Sequence, residues 1–387
     1  MMQNKTKNII GIDAADLCYK RIDGTRIYIL NLLDNFGKIA PDALFYIYLK
    51  GDLNPDLKFK IYPNYRIIKE SFPFLWTQLK LPRMVRRNKP NVLWMPLHNL
   101  PIMRHTGLKT VVTIHDLAFK IFPKFFPPKD LFMLNKLTNY AVKKANKIIA
   151  VSRSTAKDLT EMYGVSPSKV SVIYHGYNEK LFHLPSAEEK NQVESIKNKY
   201  KIPTNCKYLI YVGAIQPRKN LGVLVSAFER IKTLQSFKDW KLVLAGSEAW
   251  MAEELKNQIA TSAWKKDIIM TGNFNISDLP FLLWGSEFFV FPSLYEGFGI
   301  PLLEAMACGV PVISARNSSL IEVGGACASY FNPRKVDELT SLIRTLATSP
   351  EKKAQMRAKG LEWVKNFSWE ETTRKTYELL TETGMRG

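Results

Sequence analysis

Thirteen short apolar runs, each of four to seven residues, alternate with segments of helical length along this chain, and the alternation confines it to an α/β fold built on parallel sheets. Strands joined by tight hairpins lie antiparallel, whereas strands separated by a helix return to the same end and run in one direction. Seven runs fall in the first half: NIIGID, LFYIYLK, YRIIKE, NVLWMP, TVVTIH, KIIAVS and VSVIYHG. Six follow in the second: YLIYVGA, KLVLAGS, DIIMTG, EFFVFPS, PVISA and ASYF. Between them the stretch LFHLPSAEEKNQVESIKNKYKIPTNCK is polar and charged at its centre and reads as a connector carrying a short helix. The chain is therefore predicted to form two Rossmann-like, doubly wound parallel-sheet domains, residues 1–186 and 187–368. Ligands of such sheets bind at the carboxyl ends of the strands, so two domains facing each other would gather functional residues on an interdomain cleft.

The stretch FPSLYEGFGIPLLEAMACGVPVISA, residues 291–315, carries the strongest chemical signal. A buried strand leads into a turn in which Gly297 and Gly299 let the backbone approach a ligand, and Pro301 suits the first turn of the helix that Gly309 and Pro311 then stop. Backbone amides from Gly297 through Phe298, Gly299 and Ile300, with the helix dipole, favour an anion. Glu304, one turn into the helix, can accept hydrogen bonds from a vicinal diol such as a ribose, while Glu296, outside the helix, would meet another hydroxylated part of the same ligand. Ser293 and Tyr295 precede the first glutamate and are candidates to line the pocket. The plainer alternative is an ordinary strand-turn-helix with surface glutamates.

Two further segments read as donor-side elements. YVGAIQPRKN is a strand ending at Gly213, followed by a loop that presents Arg218, Lys219 and Asn220 at the start of a helix, and two adjacent cations there suit a diphosphate. DIIMTGNFNISDLPFLL reads as a strand, a turn at Gly272 and Asn273, and a helix capped by Ser277 or Asp278, with Phe274 a candidate to stack on a base. In the first half, GIDAADLCYKR and IDGTRIYILNLL read as a strand and loop leading through Gly24 into a helix, and His115 with Asp116 ends the strand TVVTIH. A histidine at a strand end is commonly structural, as His175 in IYHGYN is read to be.

Five segments in order, VVTIHDLAF, IIAVSRSTAKDL, VIYHGYN, YVGAIQPRKN and the 291–315 stretch, resemble the retaining glycosyltransferases of GT-B fold, in the GT4-type branch that includes bacterial mannosyltransferases. The resemblance implies that Glu296, the first glutamate of the E-x7-E pattern, holds a donor sugar and that Glu304 holds the ribose. It also places Gly24 beside the donor phosphates, Gly272 and Asn273 over the base, and His115 by the donor sugar, where it contributes to catalysis. It implies that a last helix, about 369–387, packs back on the first domain. Ala214 stands where many members have arginine, and Arg26 where a second glycine is common; Arg26 would add an anion contact or narrow the loop. Catalysis would then rest on His115, Glu296, Lys219 and Arg218, with the cations stabilising the departing phosphate and no metal or other cofactor. The expected reaction transfers a sugar, mannose from GDP-mannose as first choice, to a hydroxyl of a glycan or lipid-linked acceptor. A glycogen-synthase-like transferase using ADP- or UDP-glucose and a non-catalytic scaffold binding anionic surfaces are the alternatives.

Charge bears on partners. Residues 1–186 hold 29 Lys and Arg against 13 Asp and Glu, a net +16, and the remainder hold 26 against 22, a net +4. Such a field attracts anionic surfaces, and two segments add aromatics: Phe72, Phe74 and Trp76 ahead of Arg83, Arg86, Arg87 and Lys89, and Phe119, Phe122, Phe125 and Phe126 among Lys120, Lys124 and Lys129. Peripheral contact with an anionic membrane is expected, and no nucleic-acid module is recognised. The simpler reading of the first segment is a helix with its apolar side in the core and its basic side in water. The start MMQNKTKN lacks the apolar segment of a secretory signal, so the chain is expected in the cytoplasm, at the inner membrane face. Cysteines 18, 206, 308 and 327 form no metal or disulfide pattern and read as reduced thiols.

Overall fold

The computed structural model describes residues 8–20, 23–72, 74–249 and 251–385. Most of the amino-terminal stretch read for a signal, together with Arg21 and Ile22 ahead of the first helix, lies outside them. All thirteen apolar runs form strands: β1 (Ile9–Asp13), β2 (Leu44–Leu49), β3 (Tyr65–Lys69), β4 (Val92–Met95), β5 (Lys109–Ile114), β6 (Lys147–Ala150), β7 (Val170–Val172), β8 (Tyr208–Val212), β9 (Lys241–Ala245), β10 (Ile268–Gly272), β11 (Phe288–Phe291), β12 (Val312–Ala315) and β13 (Ser329–Phe331). They make two wholly parallel sheets, ordered β3-β2-β1-β4-β5-β6-β7 and β10-β9-β8-β11-β12-β13. Helices cover both faces, which is why β4, β8, β11 and β12 are buried at every position and read as unbroken apolar runs. The direction of winding reverses between β1 and β4 in one sheet and between β8 and β11 in the other, and each reversal opens a crevice at the carboxyl ends of its strands.

The chain divides into two compact units, 1–176 with 367–387, and 177–366. The change of unit thus precedes the expected boundary at 186 by ten residues. The residues just ahead of the connector helix already pack on the second unit: the His183 carbonyl accepts from the Trp284 indole at 2.8 Å, and the helix itself, Ala187–Lys199, opens with a reciprocal capping box between Ser186 and Glu189 and packs on the helix Leu279–Trp284. Just beyond it, Lys199 and the Tyr200 hydroxyl each reach the Asp278 carboxylate at 2.6 Å. Asp278 is therefore a tether, and neither it nor Ser277 caps by its side chain; Asn275 does, accepting the Ser277 amide at 3.1 Å.

The last helix, Trp369–Met385, belongs to the first unit and packs on the helix Gly24–Ile39 and on β4 and β5. It buries Thr372, Thr373, Thr376 and Thr383, whose hydroxyls would be costly in an apolar interface. All four return to the carbonyl four residues earlier, and Thr372 also reaches the Tyr174 carbonyl at 2.7 Å. The helix start is seated on Gly176: a Cβ built there would lie 2.1 Å from the Trp369 nitrogen and 2.4 Å from the Ser368 carbonyl carbon. Backbone cannot yield as a side-chain tip can. Gly176→Ala is expected to lower stability by about 1–3 kcal/mol or more in denaturant unfolding, and unchanged stability would show that the helix docks elsewhere.

Candidate active site

In the second unit the predicted donor-side residues collect at the crevice between β8 and β11. β8 ends at Gly213, which adopts φ +141°, and Gly246 after β9 comes so close that a Cβ there would lie 2.0 Å from the Gly213 carbonyl oxygen. The loop after β8 passes through a single turn at Pro217–Lys219 to Asn220, which takes the left-handed conformation and leads into the helix Leu221–Lys232. Asn220 donates its amide to the carbonyls of Pro292 at 3.1 Å and Pro333 at 2.8 Å, so it fastens this loop to the end of β11. A second stitch joins the Leu294 amide to the Arg218 carbonyl at 2.9 Å.

These stitches bring three charged side chains together. Glu296 accepts from Lys219 Nζ at 2.6 Å and from Arg218 at 3.2 Å, while the same guanidinium donates to the Tyr295 carbonyl at 2.6 Å. All three are 10–15% exposed. Burial alone would lift the Glu296 carboxyl, but the Lys219 and Arg218 charges outweigh it and hold it below the ordinary glutamate value. Glu296 is therefore ionised at neutral pH and the cluster carries one net positive charge. Removing the glutamate outright would leave two cations without it in a nearly dry site, which makes Glu296→Ala a destabilising change.

The turn after β11 is held from behind by residues that sequence reasoning missed. Ser318 Oγ accepts the Glu296 amide at 3.0 Å, Ser319 Oγ donates to the carbonyls of Glu296 and Phe298 at 2.9 and 2.7 Å, and Asn317 donates to the Ser293 carbonyl at 2.8 Å. The only signal was a polar triplet one residue after the strand PVISA. Ser293 and Tyr295 are buried, as is Phe298. Gly299 sits at φ +110°, and a Cβ there would meet Leu320 at 2.9 Å, so the glycine is required for the turn that starts the helix Ile300–Ala307. Pro301 occupies the first turn of that helix and Gly309, at φ +72°, ends it.

Glu304 projects from the second turn of this helix. Its carboxyl makes no hydrogen bond or ion pair among the described residues, and burial pushes it from 4.5 up to about 8. A half-buried carboxyl without partners is a poor structural element and stands open to hydroxyl groups of a ligand, giving or accepting hydrogen bonds as its protonation allows. Gly272, at φ +66°, and the exposed Asn273 lie at the end of β10, separated from β8 by β9 and not joined to the charged cluster.

The other predicted residues belong to the first unit. His115 follows β5 and is clamped by the segment after β4: its ring Nε2 donates to the Pro96 carbonyl at 2.8 Å, and its backbone amide donates to the His98 ring at 3.0 Å. A carbonyl can only accept, so the neutral ring carries its proton on Nε2 and leaves Nδ1 as the acceptor. Burial lowers the ring's affinity for a second proton, and the Pro96 carbonyl and Asp116 offset part of that. His175 is buried among Tyr28, Trp369 and His115, with ring centroids 4.8, 5.4 and 5.7 Å away. Gly24 begins the helix Gly24–Ile39, and a Cβ there would meet nothing within 4 Å among the described residues, so no packing contact described demands a glycine. Arg26 is settled as an internal strut: it binds Asp23 at 2.7 Å and the Asp16 carbonyl at 3.0 Å and is nearly buried.

Two parallel sheets of this order are those of the GT-B fold, and comparison with known proteins gives the family. Residues 192–363 match the family model for glycosyl transferases group 1, and residues 40–181 match that for glycosyltransferase family 4. The chain belongs to the GT4-type glycosyltransferases. It is similar to O-antigen chain mannosyltransferase B of Escherichia coli, 28% identical over 71% of this chain and 72% of that one. It is also 28% identical over 74% of its length to the Escherichia coli serotype-specific mannosyltransferase WbdA, of which it spans only 34%. Among solved structures it resembles the sucrose-phosphate synthase of Thermosynechococcus elongatus, with a TM-score of 0.74 at 18% identity over 97% and 99% of the two chains. HepE of Anabaena, solved with UDP and glucose, gives 0.72 at 18% identity with the same coverage.

Glu304 provides a test that needs no substrate. Its folded-state value lies above its unfolded one, so the neutral carboxyl is favoured by folding and stability falls as pH rises from about 4.5 through 8. Glu304→Gln is expected to flatten that fall, gaining about 1–3 kcal/mol over wild type at pH 8.5 and little at pH 4.5, read from thermal unfolding at the two values.

Proposed function

We propose that the protein transfers a hexose with retention, mannose from GDP-mannose as first choice, to a hydroxyl of a glycan or lipid-linked acceptor during cell-surface polysaccharide synthesis, without a metal. The observation that carries this reading is the Arg218–Lys219–Glu296 cluster at the β8/β11 crevice, with the partnerless Glu304 on the helix that follows. The similarity to O-antigen mannosyltransferases supports the sugar and the process, and a relative of the same fold solved with UDP supports a nucleotide donor.

The chemistry follows from where charge develops. Breaking the bond from the anomeric carbon to the diphosphate leaves an electron-poor carbon and puts negative charge on the leaving oxygen. The net positive cluster stabilises that charge, and because Glu296 already fixes both cations, little reorganisation accompanies the reaction. Glu296 also accepts from a hydroxyl of the donor sugar, Glu304 accepts from the ribose diol, and Gly272 and Asn273 lie over the base. His115, with its Nδ1 lone pair and fixed ring, interacts with the donor sugar near the reacting carbon. The acceptor attacks from the face the phosphate leaves, and the phosphate takes its proton. Thermal stabilisation and turnover across GDP-, UDP-, dTDP- and ADP-sugars test this. Glu296→Gln, which keeps an acceptor for Lys219 but drops the charge, is expected to lower turnover ~10²- to 10³-fold with nucleotide still bound. Failure of every nucleotide diphosphate to stabilise the protein would favour the non-catalytic alternative.

Peripheral membrane contact through the basic first unit is part of the same reading. No helix among the described residues is long and apolar enough to cross a membrane. Yet Phe74, Leu75, Ile102, Met103, Phe132 and Met133 are 49–77% exposed, too large a set to be incidental. They stand on linked segments: Gln78, beside Leu75, accepts the Ile102 amide at 2.8 Å, and Arg104 donates to Tyr140 at 2.8 Å on the helix that carries Phe132 and Met133. In the adjoining helix Leu81–Asn88, Leu81, Met84 and Val85 face the core while Arg83, Arg86 and Arg87 stay in water, as the simpler reading has it. Apolar side chains ringed by cations suit an anionic bilayer. Replacing Phe74, Leu75, Phe132 and Met133 by serine is expected to abolish flotation with phosphatidylglycerol vesicles; equal flotation of the variant would remove this element of the proposal.

A further inference from the structure

Asp13 ends β1 at the winding reversal of the first sheet, where doubly wound sheets hold their ligands, and none of the roles derived above uses it. Its two oxygens are in unlike situations. Oδ1 accepts from the Trp76 indole at 3.0 Å and from the Ala15 amide at 3.3 Å, whereas Oδ2 has no hydrogen-bond partner among the described residues. The nearby cations are committed to other groups: Arg26 binds Asp16 and Asp23, and Lys50 Nζ lies 3.2 Å from the centre of the Tyr19 ring. A half-buried carboxylate at a sheet crevice, with one oxygen anchored and the other unopposed, is an arrangement that purely structural aspartates do not need.

The anchor is built at a cost in backbone conformation. Trp76 opens a wide turn, Trp76–Lys80, closed by a hydrogen bond from the Leu81 amide to the Trp76 carbonyl five residues back. The turn is wide because Pro82 follows: an ordinary helix through it would drive the proline ring against the Gln78 carbonyl. Ahead of the turn Leu75, a branched residue, is held in the left-handed region at φ +50° and ψ +37°. Strain of this kind persists where the surroundings require a particular side-chain placement, and here the side chain placed is the indole that fixes Asp13.

We propose that Asp13 is an acceptor-binding residue, receiving on Oδ2 a hydrogen bond from a hydroxyl of the glycan or glycoside that accepts the sugar, with Trp76 as its positioning residue. This rests on the transferase reading, since it supplies that reading with an acceptor contact. Burial holds the Asp13 carboxyl at about 6, so it is largely ionised and able to accept at neutral pH.

The experiment uses the full chain, methyl α-D-mannopyranoside and a short mannose oligosaccharide as acceptor probes, and free GDP and UDP as donor-side probes, with binding read by saturation-transfer NMR and calorimetry. Asp13→Asn keeps the shape and the Oδ1 contacts but turns a donor toward the ligand, so glycoside binding should weaken at least about tenfold while nucleotide binding stays within about twofold. Trp76→Phe leaves the carboxylate in place without its anchor and should weaken glycoside binding by about three- to tenfold, which covers the case of an unfolded Asp13→Asn. Glycoside binding unchanged in both variants, or a wild type that binds nucleotide and neither glycoside, overturns the acceptor site alone. A wild type that binds neither class of probe overturns it together with the transferase reading.

Discussion

A single buried carboxylate between two cations organises the candidate donor site. Glu296 could not stay ionised in so dry a place without Lys219 and Arg218, and the two cations could not sit so close together without Glu296. The demand for mutual neutralisation fixes where the loop after β8 ends relative to the turn after β11. The backbone stitches from Asn220, Arg218 and Leu294 then hold what the charges require. The result is a preorganised positive site whose geometry does not depend on a ligand to form it, which is the condition under which electrostatics contribute most to a reaction that develops negative charge.

The glycines serve this arrangement by letting backbone come near backbone. Gly213 and Gly246 face each other at a separation no side chain permits, Gly299 turns the chain under Leu320, and Gly176 admits the start of the last helix. In the first unit the same economy appears around His115, where Pro96 fixes the ring and His98 the backbone, so that tautomer and orientation are set by two residues of one short segment. The His98 ring must accept there, and burial keeps its value near 4, so it stays neutral and the clamp persists over the working pH range.

Much of this was legible in the order of residues. Every apolar run became a strand; the central ones were plainest, because both faces of each sheet are covered there and an unbroken run of Val, Ile and Phe fits nothing else of that length. The 291–315 motif was readable because Gly299, Pro301 and Gly309 each demand a local backbone conformation that holds in any context. What was not readable depended on distant partners. Asn317, Ser318 and Ser319 are ordinary polar residues until β12 is laid beside β11, and Asp13 is ordinary until Trp76 is brought back against it from sixty residues on. For Arg26 the sequence left an anion contact and a narrowed loop both open, and only the folded chain shows the guanidinium tied to Asp23 and to the Asp16 carbonyl. The change of unit falls ten residues ahead of the expected boundary because nothing in the order of residues shows that the His183 carbonyl is taken by the Trp284 indole, a hundred residues on, in the second unit.

The sequence by itself determined the alternation of strand and helix, the parallel direction of both sheets, and the turn at which the two glutamates are presented, since these follow from periodicity and from the φ angles that glycine and proline allow or impose. Only the tertiary structure decided which charges meet, which histidine nitrogen carries the proton, and which carboxyls, Glu304 and Asp13, keep an unanswered oxygen. Those are properties of distance and dielectric, and both come into being when remote segments pack.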